Sequence, residues 1–329
     1  MTRMSFALVV AMTGGAGSPT REEARAVSVS SVNVPSAHRP PVEALGAIQA
    51  EMRHVDFHID SGIVLHIQSL RGTLLPTSAG KIATLDDKGS FSLSIHAAEI
   101  AIDTASLATL LNRHVFGYRG SPLRKLRVHT EGSELVQTGV MHKGVNIPFR
   151  IHATVGLTPD GRIRIHPTSV KMLGMGVTNA MRFFGLQLSG IVKLQPGHGA
   201  SIEGNDIIHD AMAILPPPRL RGRLTGIAVA PGTIRQTFSP TGAEEVSPLR
   251  AAGSGVPNYM FFRGGTLRFG KLTMENADLL IVDSDSSNVF DFSLDRYNDQ
   301  LVGGGSRNTR DHGLIVVMPD FAKLGHRGG

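Results

Sequence analysis

The chain of 329 residues contains no cysteine and no tryptophan. Without cysteine there is no disulfide framework, no thiolate nucleophile and no residue for a lipoprotein anchor, although zero cysteine fits either redox compartment. Aromatic residues are only 5% of the chain against 41% hydrophobic residues in all, so aliphatic side chains must build the interior. No window reaches the ~18 consecutive apolar residues of a membrane-spanning helix, and the chain does not read as an integral membrane protein. Motifs of common chemistries are missing too. There is no G-x-S-x-G nucleophile elbow. FRGGTLRFGK lacks the spacing of a phosphate loop, and its Arg-Gly-Gly suits a hairpin turn better. The polar strand faces carry His and Arg but no Tyr or Trp on which bases could stack, which argues against a nucleic-acid partner.

What is present begins with a leader. Residues 1–26 place Arg3 before the apolar run SFALVVAM and a small-residue exit, the outline of a signal peptide, and predict a periplasmic or secreted protein. Residues 27–53 read as a Ser/Val/Pro-rich linker followed by a short helix in EALGAIQAEM. Net charge is +6, but residues 275–299 hold seven acids against Arg296 alone, so the rest of the chain is more basic than the total indicates. Such a surface draws in phosphates, and peripheral contact with an anionic membrane is an expected partnership.

HVDFHIDSGIVLHI, residues 54–67, sets the central question. His54, Asp56, His58, Asp60 and His66 occupy even positions, and Val55, Phe57, Ile59, Ile63, Leu65 and Ile67 odd ones. A period of two puts the first set on one face of a strand and the second on the other. The same alternation recurs in FSLSIHAAEIAID (91–103), where the apolar phase moves from Phe91, Leu93 and Ile95 to Ile100 and Ile102, and predicts a β-bulge. DTASLATLLNRH (103–114) predicts a helix capped by Asp103 or Thr104 and closed by His114 on its C-terminal dipole. Hairpins are expected around Glu131-Gly132, Pro159-Asp160-Gly161 and Pro231-Gly232, with a second bulge at Pro167. Further helices are expected over 178–190 and 205–215. Residues 239–256 read as a linker, and 257–329 as a mainly β extension that either enlarges the sheet, caps a groove or docks a partner.

The run from Ile102 to Met172 resembles the LmeA-like phospholipid-binding proteins of the tubular lipid-binding (TULIP) superfamily. The resemblance rests on the paired Leu110-Leu111 of an acid-capped helix, Leu126-Arg127-Val128, Ile147-Pro148-Phe149, and the strand from Asp160-Gly161 to Pro167. It covers 100–172 well and 54–238 loosely. It implies an α+β fold, a highly curved antiparallel β-sheet wrapped around one or two helices, and a groove for acyl chains, with no catalytic residues and no cofactor.

Each face then has its own chemistry. On the polar face, neighbours two apart stand about 6.6–6.8 Å from each other, close enough for two to share an ion. A third ligand would come from another strand, with His152 and His166 as candidates for a metal-dependent hydrolase. An ordinary solvated sheet face explains the same residues. The acidic DSDSSNVFDFSLD (283–295) spaces Asp283 and Asp285 as a calcium loop does, but has Asn288 where Gly belongs and Leu294 where Glu belongs. The apolar face is the expected working face. Phe57, Ile59, Leu65, Phe91, Leu93, Ile95, Phe149, Ile151, Ile163 and Ile165, with Leu111, Phe184 and Leu188 from helices, are the candidate lipid-binding residues. The expected function is non-enzymatic binding or transport of phospholipid or another acyl-chain lipid in the cell envelope. The rivals are the hydrolase and a structural envelope protein with a filled core.

Overall fold

Period-two alternation makes strands of the longest elements, in a computed structural model that describes residues 46–78, 80–172, 199–239, 249, 256–309 and 313–324. All of these belong to one unit, Glu43–Gly329. Along β1 (Ile48–Asp60), Ile48, Ala50 and Met52 are buried, then Val55, Phe57 and Ile59. The parity changes at His54, whose φ is 48° and whose Nδ1 donates to the Pro257 carbonyl over 3.1 Å. Ile48–Met52 is therefore strand, not the expected helix, and the expected linker gives way to β1. Its alternating apolar residues gain more from sheet partners on both sides than from a single helical turn.

β1 turns into β2 (Ile63–Pro76), which pairs with β4 (Phe91–Asp103). The bulge expected in β4 is present: Arg71 pairs with Ala97 and Gly72 with Ile95, so His96 has no partner in the ladder. Gly72 is needed there because a Cβ would lie 2.5 Å from the Ser94 carbonyl oxygen. Helix α1 (Thr104–Leu110) follows, with Asp103 accepting the Ser106 N–H, and a π-helical turn (Leu111–Val115) ends it.

A smaller antiparallel sheet of six strands comes next. It comprises β5 (Leu123–Glu131), β6 (Glu134–Lys143), β7 (Val145–Leu157), β8 (Ile163–Met172), β9 (Ala200–Glu203) and β10 (Asp206–His209). Its order is β5-β6-β7-β8-β10-β9. The hairpin turns fall at the predicted places, and Thr168 is skipped where His152 and Ala153 pair with Ser169 and Pro167. Residues 206–209 form β10 instead of the expected helix over 205–215. Four residues of mixed character are ambiguous from periodicity, and pairing with both β8 and β9 decides it. The expected helix over 178–190 and the leader lie outside the described residues.

The chain then returns to the first sheet through β11 (Arg219–Arg221) and the hairpin β12 (Leu224–Ala230) and β13 (Thr233–Phe238). The remaining strands join the same sheet: β14 (Tyr259–Phe269), β15 (Leu272–Asp283), β16 (Phe290–Ser293), β17 (Gly305–Asn308) and β18 (Leu314–Met318), together with the short β3 (Ala83–Thr84). The order is β12-β13-β4-β2-β1-β14-β15-β18-β17, with β11 beside β4, β16 beside β1 and β3 beside β14. The last seventy residues thus extend the sheet. This sheet is mixed, not antiparallel throughout, because β1/β16, β3/β14, β4/β11 and β15/β18 run parallel. Among the described residues the helices are short, α1 and α2 (Tyr297–Gly303) having seven residues each. Among the described residues the architecture is β-rich with few helices, and its two sheets are open.

Candidate functional site

The apolar face of the large sheet meets two different coverings. Toward β1, β14 and β16 it is packed shut. Phe57 stacks on Phe292 with ring centroids 5.7 Å apart, Phe292 on Tyr297 at 6.3 Å, and Tyr297 on Phe269 at 5.0 Å. An apolar void of about 30 Å³ remains there, lined by Phe57, Ile59, Leu65, Phe91 and Leu93 among others. Toward β4, β11, β12 and β13 the face is covered by the small sheet, and the two do not close on each other. A cavity of about 120 Å³ lies between them and opens to solvent at its mouth.

Both sheets and the helix build its wall. The large sheet contributes Leu65, Ile95, Ile100, Ile102, Ile234 and Phe238; α1 and the π turn contribute Leu107, Leu110 and Leu111; the small sheet contributes Phe149, Ile151, Val155, Ile163, Ile165 and Ile207. The helix is held by Asn112, whose Nδ2 donates to the carbonyls of Ala108 (2.7 Å) and Leu126 (2.8 Å) while its Oδ1 accepts the Leu126 N–H (2.9 Å). That side chain stands in for a neighbouring strand at the bulged start of β5. Ile151, Val155, Ile163 and Ile165 are only half-buried although they face inward, as side chains bordering open space are.

The candidate residues are thus divided. Leu65, Ile95, Leu111, Phe149, Ile151, Ile163 and Ile165 line the large cavity; Phe57, Ile59, Phe91 and Leu93 line the small void, which Leu65 also borders; Phe184 and Leu188 lie outside the described residues. Among the described lining residues only Gln137, His209 and Gln236 are polar, and none carries a fixed charge. Gln137 lies between Leu135 and Met141 in the phase of β6, and Gln236 between Ile234 and Phe238 in that of β13. His209 follows Ile207 on β10 and is 6% exposed. Burial alone pulls its imidazole down to about 4. A polar residue breaking an apolar phase was the signal in the sequence for both glutamines. The histidine was hidden by the helical reading of its segment.

The polar face holds one trio and several separate pairs. His66 donates or accepts through Nδ1 with Asp56 (2.8 Å) and through Nε2 with Asp103 (3.3 Å), His58 pairs with Asp291 (2.5 Å), and His114 with Asp60 (3.2 Å). The Asp56 hydrogen bond raises the His66 imidazole above its ordinary value against the opposing effect of burial. Burial pushes the Asp103 carboxyl up, but the Ser106 N–H and hydroxyl and His66 outweigh it and hold the group below the usual range. The Ser106 hydroxyl donates to Asp103, not to an imidazole, so this is a helix cap and not a nucleophile with its base. His152 faces Glu134 at 3.5 Å, and His166 pairs with Asp206 at 2.6 Å. Among the described residues no group of three or more His, Asp or Glu side chains is placed to hold a metal ion. At the acidic loop the Lys323 ammonium sits 2.7 Å from Asp285 and 3.0 Å from Asp320, where a calcium ion would need oxygen ligands. No helix of the described residues is long and apolar enough to cross a membrane.

Comparison of the chain with protein-family models, with curated proteins and with solved structures finds no match.

Proposed function

We propose that the protein binds an acyl-chain lipid in the cavity between its two sheets, as a carrier or holder and not as an enzyme. The observation that carries this reading is the cavity itself, open at its mouth and walled by aliphatic side chains from both sheets and α1. Each methylene moved from water into such a space gains about 0.8 kcal/mol. Ten carbons therefore supply about 8 kcal/mol, the scale of a micromolar complex before the cost of association is charged against it. No catalytic group is required for that, and no cofactor.

The resemblance to LmeA-like proteins points the same way, and under it the ligand is a phospholipid whose tails enter the cavity in the cell envelope of a bacterium. A TULIP-type relation would make the two sheets a variant of the curved sheet of that superfamily. The exposed outer face of the small sheet adds support. Arg127, Arg150 and Lys171 lie in one row across β5, β7 and β8, with Thr138 between the arginines. Adjacent like charges on a sheet repel, Glu131 offsets the Arg150 charge in part, and a bilayer of acidic lipids would offset the rest.

The test is to purify the protein, extract it with organic solvent and analyse the extract by mass spectrometry. Lipid at near-stoichiometric amounts, enriched over a mock purification, is the expected result. A folded, lipid-free protein that also fails to take up a fluorescent acyl probe would remove the proposal.

A further inference from the structure

One buried polar atom in the cavity wall has nothing to bond with. His209 ends β10, opposite Ile163 of β8 and Ala200 of β9, and its Nδ1 is buried without a hydrogen-bond partner. Buried polar atoms in folded proteins are paired in the great majority, and an exception calls for a reason. Packing does not supply one, since Ile163 and Ile165 fill the same face of the next strand with hydrocarbon. The ring is neutral in neutral solution because burial opposes its charge, with no charged side chain contributing. The ring lines the cavity while its Nδ1 is covered in the empty protein, so a ligand reaches that atom as the side chains over it yield; neutral, the ring holds one N–H and one lone pair, fit for a partner that donates or accepts.

Resting on the acyl-chain reading above, we infer that His209 is the interior anchor of the ligand, exchanging a hydrogen bond with an uncharged oxygen, a hydroxyl or an ester carbonyl, that the ligand carries into the cavity. The rest of the wall favours an uncharged group. No Lys or Arg lines the cavity, so a phosphate or carboxylate would enter it without a counter-charge. Gln137 and Gln236 are half-buried amides on the two facing sheets and offer neutral donors and acceptors only. Gln137 stands three strands from His209, about 14 Å across the sheet, and its rung at Ile151 lies six residues along β7 from the His209 rung at Leu157, about 20 Å, so the two serve different points on a ligand. The ligand class is then an acyl chain with a hydroxyl or ester along its length, its ionic headgroup left at the mouth.

The experiment compares decane with 1-decanol as competitors of the neutral fluorescent probe N-phenyl-1-naphthylamine, on the full chain and on His209→Leu and His209→Gln. The decanol-to-decane affinity ratio is expected to fall about 5–10-fold in His209→Leu, the size of one buried hydrogen bond, and to be largely kept in His209→Gln. Decane binding itself changes little. An unchanged ratio in His209→Leu overturns the anchor while leaving the acyl-chain reading intact. Failure of both competitors to bind the unsubstituted protein overturns the two together. Should the variants not fold, ¹⁵N NMR of the unsubstituted protein decides: the His209 Nδ1 resonance moves with decanol and not with decane, and a resonance that ignores both overturns the anchor.

Discussion

Val155→Phe separates an open cavity from a filled core by the sign of its effect. Val155 lies on β7 opposite Ile165, half-buried, with its side chain on the cavity wall. Phenylalanine suits a strand and adds four carbons. At about 0.8 kcal/mol per carbon group moved out of water, full burial would give a ceiling of about 3 kcal/mol. A half-open site realises part of that, so the ligand-free variant should be more stable by about 1 kcal/mol. In a closed interior the same change is overpacking and costs about 1–3 kcal/mol. Urea unfolding of delipidated protein measures the difference. Delipidation matters because bound ligand would raise the apparent stability of the parent. The ring also occupies the path of an acyl chain, so uptake of an acyl probe should fall at least tenfold. A variant that loses 1–3 kcal/mol at unchanged m, with probe uptake untouched, would refute the cavity argument.

Two further outcomes follow from the same wall. The unfolded chain protonates His209 near the ordinary value of about 6.5, while the folded chain refuses the proton until about 4, so stability should fall as pH drops through that window. The contribution is up to about 3 kcal/mol, and it should be absent from His209→Gln and so stand out in the difference between parent and variant; parallel pH profiles for the two would sink it. His66 acts in the opposite sense, its raised affinity for protons stabilising the fold at low pH and lapsing as pH rises, which is why the difference and not the raw profile is read. Asn112→Ala removes three hydrogen bonds, two that tie the π turn to β5 at Leu126 and one to the Ala108 carbonyl of α1, and should cost about 2–4 kcal/mol by thermal or urea unfolding, with faster amide exchange at Leu126; a loss below about 0.5 kcal/mol would show that water replaces the amide.

Much of this wall was legible because phase is a local property. The shift of apolar parity between Ile95 and Ile100 announced the bulge at His96, and the shift at Pro167 the one at Thr168. Asp103 before a leucine-rich run announced the cap of α1. What the sequence hid was partnership at a distance. No local pattern tells that Phe57 meets Phe292, so the apolar face read as one continuous groove when its β1 end is packed core. The segment from Asp206 to His209 failed for a related reason: four residues of mixed character become strand only because β8 and β9 flank them. With that segment read as helix, His209 could not be placed on the same face as Ile207 and the cavity.

The change of neighbours along β1 bears on how the polypeptide leaves the ribosome. Its first half pairs antiparallel with β14 and its second half parallel with β16, partners more than 200 residues downstream. The N-terminal strand therefore has one edge unsatisfied until nearly the whole chain has been synthesised. Contacts of such sequence separation slow folding and leave apolar edges exposed meanwhile. A chain stopped at residue 238 would keep every strand of the small sheet yet bare the β1 edge and the ring of Phe57. Newly made protein is thus committed to late closure, and a holding chaperone would find its opportunity in that interval.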